Sequence, residues 1–186
     1  MDLPIPLTAV LVLFQLAAQA QPQVEEHYYQ DAIEAEGGRA HDRLVLNGDI
    51  IVAGSSFDTY KYAPSITRLD TLGHVIWTTT SNDTTIYNSL EHEQYMEHLL
   101  MGSDGYIYAS CCMNWINPLE EIWKVDPSTG QIIWKSPIVV YRSVNHLLEL
   151  DSSKIIAGYS SSYDYGTVAF IDKSTGEVDT IQGLGQ

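Results

Sequence analysis

The sequence predicts an all-β chain, a partial β-propeller of four-stranded antiparallel blades with about three blades present. Three observations predict it. One hairpin pattern occurs three times: an apolar run, a short polar turn, then an alternating run ending in small residues. Each copy continues into a second hairpin whose turn ends in glycine. Those glycines, Gly73, Gly130 and Gly176, lie 57 and 46 residues apart, close to the roughly 40–50-residue period of propeller repeats.

The first hairpins align residue by residue. They read Asp42-Arg-Leu-Val-Leu-Asn-Gly-Asp-Ile-Ile-Val-Ala-Gly54, His98-Leu-Leu-Met-Gly-Ser-Asp-Gly-Tyr-Ile-Tyr-Ala-Ser110 and His146-Leu-Leu-Glu-Leu-Asp-Ser-Ser-Lys-Ile-Ile-Ala-Gly158. The second hairpins follow. Ile66-Thr-Arg-Leu-Asp70 leads through Gly73 to Val75-Ile-Trp77, and Ile122-Trp-Lys-Val-Asp126 leads through Pro-Ser-Thr-Gly130 to Ile132-Ile-Trp134. Val168-Ala-Phe-Ile-Asp172 leads through Lys-Ser-Thr-Gly176 to Val178. In the Asp-x-Ser-Thr-Gly turn the carboxylate accepts backbone N–H groups, and the glycine takes the left-handed conformation that closes the loop. These aspartates are therefore read as turn residues. The expected blades run over about 43–80, 95–138 and 144–182, within a propeller region 41–186.

Residues 1–20 differ from the rest. Leu7 to Phe14 is almost continuously apolar, and Ala18-x-Ala20 places small residues where a signal peptidase cuts. Residues 1–20 are read as a signal peptide cleaved before Gln21, and 21–40 as an acidic N-terminal segment. The n-region has no Lys or Arg. The apolar run is shorter than the ~20 residues of a membrane-spanning helix. The expected location is therefore secreted, periplasmic or at the cell surface, with no membrane span after cleavage. Three blades do not close a ring. The missing blades are expected from the rest of a longer chain or from oligomerisation.

The chain carries 9 Lys plus Arg against 24 Asp plus Glu, a net charge of −15. Such a surface repels phosphate backbones and anionic lipid, which excludes nucleic acid as an expected partner. With 45% hydrophobic residues a packed core is available.

The stretch Asp-x-x-Thr-Gly-x-Ile/Val-x-Trp, clearest from Asp126 to Trp134, resembles the PQQ-like (quinoprotein-type) family of propeller repeats. The third copy has Thr180 where the Trp would fall, and the first turn is one residue shorter. Arg68 to Trp77 is also similar in style to repeats of secreted Bacteroidota surface proteins. The resemblance covers about residues 41–182. It implies a propeller, but the repeat serves dehydrogenases, assembly factors and binding scaffolds alike.

Candidate functional residues fall into three groups. Tyr60, Tyr62, Trp115, Tyr163 and Tyr165 are assigned to loops between the second and third strands of their blades. With Ser, Asn and Asp around them, they suit recognition of protein or carbohydrate. Trp77 and Trp134, by contrast, recur at one repeat position and are read as packing between blades. Asp42, His98 and His146 share one register at the start of the innermost strands. They are candidate ligands for a divalent metal or, equally, polar strand caps at the channel mouth. Cys111 and Cys112 are a disulfide candidate. Neighbours on a strand point to opposite faces, so a bond between them needs an irregular turn. The family resemblance adds PQQ with calcium as the alternative cofactor, since quinoprotein alcohol dehydrogenases carry a vicinal disulfide. No G-x-S-x-G, H-E-x-x-H or P-loop is present. The leading expectation is a non-enzymatic binding module without a cofactor. The alternatives are a fragment of a PQQ-dependent oxidoreductase and a periplasmic assembly scaffold.

Overall fold

A computed structural model describes residues 39–58, 61–81, 95–112, 119–139, 144–159 and 166–184. Twelve strands are present among them: β1 Arg39–Leu46, β2 Asp49–Asp58, β3 Lys61–Leu69, β4 Val75–Thr80, β5 Tyr95–Met101, β6 Ile107–Cys112, β7 Leu119–Val125, β8 Ile132–Val139, β9 Val144–Glu149, β10 Lys154–Tyr159, β11 Gly166–Asp172 and β12 Val178–Leu184. They form three four-stranded antiparallel sheets in sequential order, β1–β4, β5–β8 and β9–β12. The fold is the all-β partial propeller that the repeat predicts, and each sheet is one blade. No helix among the described residues is long and apolar enough to cross a membrane.

The turns explain why the chain reverses where it does. Asn47 and Gly48, at φ 54° and 93°, make the two-residue turn between β1 and β2. In the third-to-fourth-strand turns, Asp126 Oδ1 accepts from Ser128 N–H at 2.7 Å, and Asp172 Oδ1 accepts from Ser174 N–H at 2.8 Å. Gly130 N–H then closes on Asp126 O, and Gly176 N–H on Asp172 O, both at 2.8 Å. The carboxylate thus replaces the partners that the turn's amides lose.

Two β-bulges recur at equivalent positions in every blade. On the first strands the register shifts between Ala40 and Asp42, between Met96 and His98, and between Val144 and His146. On the fourth strands it shifts between Val75 and Trp77, between Ile132 and Trp134, and between Val178 and Thr180. An extra residue sharpens the local twist and re-aims the side chain that follows. The two bulges thus precede the channel-side polar residue and the tryptophan position.

Two apolar seams hold the blades together. Between blades 1 and 2 lie Ile51, Ala53, Ile66, Met96, Ile107, Ala109, Cys111, Trp123 and Val125. Between blades 2 and 3 lie Tyr108, Ile122, Val144, Ile155, Ala157, Tyr159, Ala169 and Ile171. β5 packs against β1, and β9 against β5, so the first strands line the inner side.

Candidate functional site

At the inner rim the structure brings together the three residues the repeat aligned. Asp42 Oδ1 accepts from Arg43 N–H, and its Oδ2 reaches the next blade to accept from Leu99 N–H, both at 2.7 Å. His98 also reaches the next blade, but to a different position: its ring donates to the backbone carbonyl of Val144 on β9. The His98 and His146 rings stand 5.7 Å apart between centroids, tilted by 37°. Burial lowers the His98 pKa below the ordinary imidazole value. Asp42 raises it, the nearby His146 lowers it and the Val144 carbonyl raises it, but burial prevails. His98 is therefore neutral at pH 7. Among the described residues, no three His, Cys, Asp or Glu side chains meet in a geometry that holds a metal ion. In Asp42 and His98 the polar groups are spent on joining consecutive blades.

The opposite end of the first two blades carries a clasp. Arg68 Nη1 and Trp77 Nε1 both donate to Pro127 O, at 2.7 and 3.0 Å. One blade further on, Lys124 Nζ and Trp134 Nε1 both donate to Lys173 O, at 2.7 and 3.2 Å. Each pair pins the Asp-x-Ser-Thr-Gly turn of the next blade. The turn glycine completes the fit. A Cβ on Gly130 would lie 2.8 Å from the Trp77 ring, and one on Gly176 would lie 2.7 Å from the Trp134 ring. Arg68 is anchored by Asp49 at 2.5 Å. Lys124 is anchored by Asp104 at 2.9 Å, and Lys173 pairs with Glu149. Burial pushes the Asp104 carboxyl up, but bonds from Lys124 and Tyr108 outweigh it and hold it below the usual carboxylate value. A cleft of about 250 Å³ opens here, with Asp104, Lys124, Asp172 and Lys173 in its wall. All four already serve the clasp or the turn.

Sequence reasoning identified the tryptophans but missed Arg68 and Lys124. The signal was available: both stand two residues before the turn aspartate, at one repeat position, where the third blade has Phe170.

In the seam between blades 2 and 3, Glu120 on β7 lies near Tyr159 on β10. Glu120 is 2% and Tyr159 6% exposed. Neither Glu120 Oε2 nor the Tyr159 hydroxyl has a hydrogen-bond partner among the described residues. Burial, then the charge of Glu97, pushes the Glu120 carboxyl up to about 9, against a bond from Val144 N–H. Burial, with the nearby Glu120, pushes the Tyr159 hydroxyl well up. Nothing in the sequence marked this pair.

The loop aromatics fare differently. Tyr60, Trp115, Tyr163 and Tyr165 lie outside the described residues. Tyr62 lies on β3, paired with Phe57, instead of in the loop, because β2 and β3 run on to Asp58 and Lys61. Cys111 and Cys112 end the regular strand β6, and no disulfide joins them. Cys111 is buried in the seam between blades 1 and 2, where burial pushes its thiol well up. Alternation along β6 turns Cys112 to the other face. This pairing with opposite faces does not offer the vicinal ring on which a quinone would stack.

No family model matches the chain, and no curated protein matches it. Among solved structures, a protein of unknown function from Bacteroides caccae matches with a TM-score of 0.51 at 12% identity, over 80% of this chain and 47% of that one. The β-propeller domain of the Trilobed protease from Pyrococcus furiosus, described as having an open velcro topology, matches with a TM-score of 0.51 at 14% identity, over 80% and 43%. A quinohemoprotein alcohol dehydrogenase from Comamonas testosteroni reaches a TM-score of 0.46 at 16% identity, over 78% and 21%. The chain spans less than half the length of each. The first two likenesses establish the fold and nothing finer: these three sheets are blades of a β-propeller.

Proposed function

We propose that this chain is part of an exported, non-enzymatic propeller that binds a protein or glycan outside the cytoplasm. Binding runs through the connections between the second and third strands of each blade. One observation carries the reading. Strand register places the ends of β2, β6 and β10, and the starts of β3, β7 and β11, on the edge opposite the clasped turns. At the clasped edge Arg68, Lys124 and both tryptophans are committed to holding blades together, as Asp42 and His98 are at the inner rim. The other edge carries the connections rich in Tyr, Trp, Ser and Asp. A rigid scaffold presenting such segments side by side is the usual construction of a recognition surface.

The test uses the full mature chain against a glycan array and a panel of extracellular proteins. Alanine at Tyr60, Trp115 and Tyr163 is expected to weaken capture by about tenfold or more, as for central aromatic anchors, with the melting temperature unchanged. Capture that survives all three substitutions refutes the assignment. N-terminal sequencing of the exported product should begin at Gln21, and a retained residue 1–20 segment would refute signal cleavage.

A further inference from the structure

Glu120 and Tyr159 break the repeat. Strand register makes Ala63, Glu120 and Gly166 equivalent on the third strands, and Ser55, Cys111 and Tyr159 equivalent on the second. Alanine or glycine therefore fills the third-strand position in the other two blades. In the seam between blades 1 and 2 the equivalents of the pair are Ala63 and Cys111, and neither brings a carboxylate. Blade 2 instead buries an acid there, 2% exposed, near a tyrosine that is 6% exposed.

Both side chains keep a polar atom unserved. Glu120 receives Val144 N–H on one oxygen. Its Oε2 has no hydrogen-bond partner, and neither has the Tyr159 hydroxyl. The next residue on β7 shows the contrast: Glu121 Oε2 accepts the Trp123 indole N–H at 2.8 Å and lies 3.7 Å from Lys135 Nζ. An orphaned buried oxygen is costly, and packing does not call for that cost where alanine or glycine suffices.

The chemistry of the set is narrow. Glu97 on β5 lies close enough for its charge to act on Glu120, and among the described residues no Lys or Arg does so. Two carboxylates and a phenol oxygen are hard donors, which suit a cation of the calcium type and not a soft transition metal. The net charge of −15 draws cations to the chain. Glu120 is the second residue of β7 and Tyr159 the last of β10, so the path from the edge opposite the clasp is short.

We infer that Glu120, Glu97 and Tyr159 bind a divalent cation of the calcium type in the seam between blades 2 and 3. The ion takes Glu120 Oε2, the Glu97 carboxylate and the Tyr159 hydroxyl oxygen, and water fills its other positions. It ties blade 2 to blade 3 on the edge where the indole–lysine clasp does not act. It requires no quinone, and the inference holds whatever the loops bind.

The experiment is isothermal titration calorimetry of the full chain with calcium chloride, without quinone, in about 0.15 M sodium chloride to screen dispersed surface charge. The parent is expected to bind one ion with a Kd of about 10⁻⁴–10⁻³ M, the range of sites with few charged ligands in extracellular modules. Glu120→Gln should weaken this by about tenfold or more. Tyr159→Phe should weaken it by less, and it keeps the test available if Glu120→Gln does not fold. Glu177→Gln removes the same charge from an exposed turn position and should bind as the parent does. A parent that takes up no calcium overturns the inference. So does an affinity that Glu120→Gln and Tyr159→Phe leave unchanged, or that Glu177→Gln lowers equally, because the ion would then sit on the acidic surface.

Discussion

Glu120 sits on β7 with 2% of its surface exposed, and the groups around it are poor hosts for a charge. Glu97 on β5 repels it, Tyr159 on β10 offers an unionised hydroxyl, and Val144 on β9 gives one N–H. The carboxyl is pushed from 4.5 to about 9, so the folded chain holds a proton there that the unfolded chain releases. A group whose folded pKa is raised loses stability as pH climbs from its unfolded to its folded value. Glu120 therefore leaves stability intact below about pH 4.5 and erodes it toward pH 9. The slope of one such proton is about 1.4 kcal/mol per pH unit. Glu120→Gln keeps the shape without the titration. Urea unfolding should show the variant level with the parent at pH 4 and more stable at pH 8. Parallel curves for the two proteins would mean that Glu120 is charged in the folded state.

At the scale of the element, the clasp assigns each turn residue a separate job. Trp77→Phe keeps most of the ring but loses the bond to Pro127 O, a loss of about 1 kcal/mol. Trp77→Ala also opens the seam, at about 3 kcal/mol. Gly130 and Gly73 separate conformation from packing. Both have positive φ, +74° and +84°, so alanine at either strains the turn by about 1–2 kcal/mol. Only at Gly130 does the new methyl also strike the Trp77 ring. Chemical denaturation should therefore rank Gly130→Ala below Gly73→Ala, and equal losses would show that the ring contact contributes nothing. The sequence held much of this clasp. Asp-x-Ser-Thr-Gly, the recurring Trp and the hairpin pattern are local, and each has a local physical cause. The carbonyl that receives Trp77 lies 50 residues away, and no spacing announces which group a side chain will find across a seam. The Glu120–Tyr159 pair was hidden for the same reason, because each residue reads as an ordinary strand position until the blades meet. Tyr62 was misplaced because strand length in the first blade depends on pairing with β2, which continues to Asp58.

For the whole molecule the decisive quantity is charge. Nine cationic side chains face 24 acidic ones, and several of the nine are drawn into the clasps and seams. Arg68 pairs with Asp49, Lys124 with Asp104, Lys135 with Glu121 and Lys173 with Glu149. The remaining charge is strongly acidic, and its self-repulsion works against the compact state. Salt acts on the two populations differently. At about 0.1 M the screening length is ~10 Å, so repulsion between dispersed surface carboxylates is largely removed. Pairs such as Lys173–Glu149, where the lysine side chain is 3% exposed, are screened much less. Raising sodium chloride from about 0.02 to 0.5 M should therefore raise the melting temperature, with most of the rise complete near the concentration where the Debye length falls under 10 Å. A fall would mean that exposed ion pairs, among them Lys154–Asp179 at 2.5 Å, outweigh the net repulsion. The acidic shell would then be a network in its own right, and the blades would be held from outside as well as at their seams.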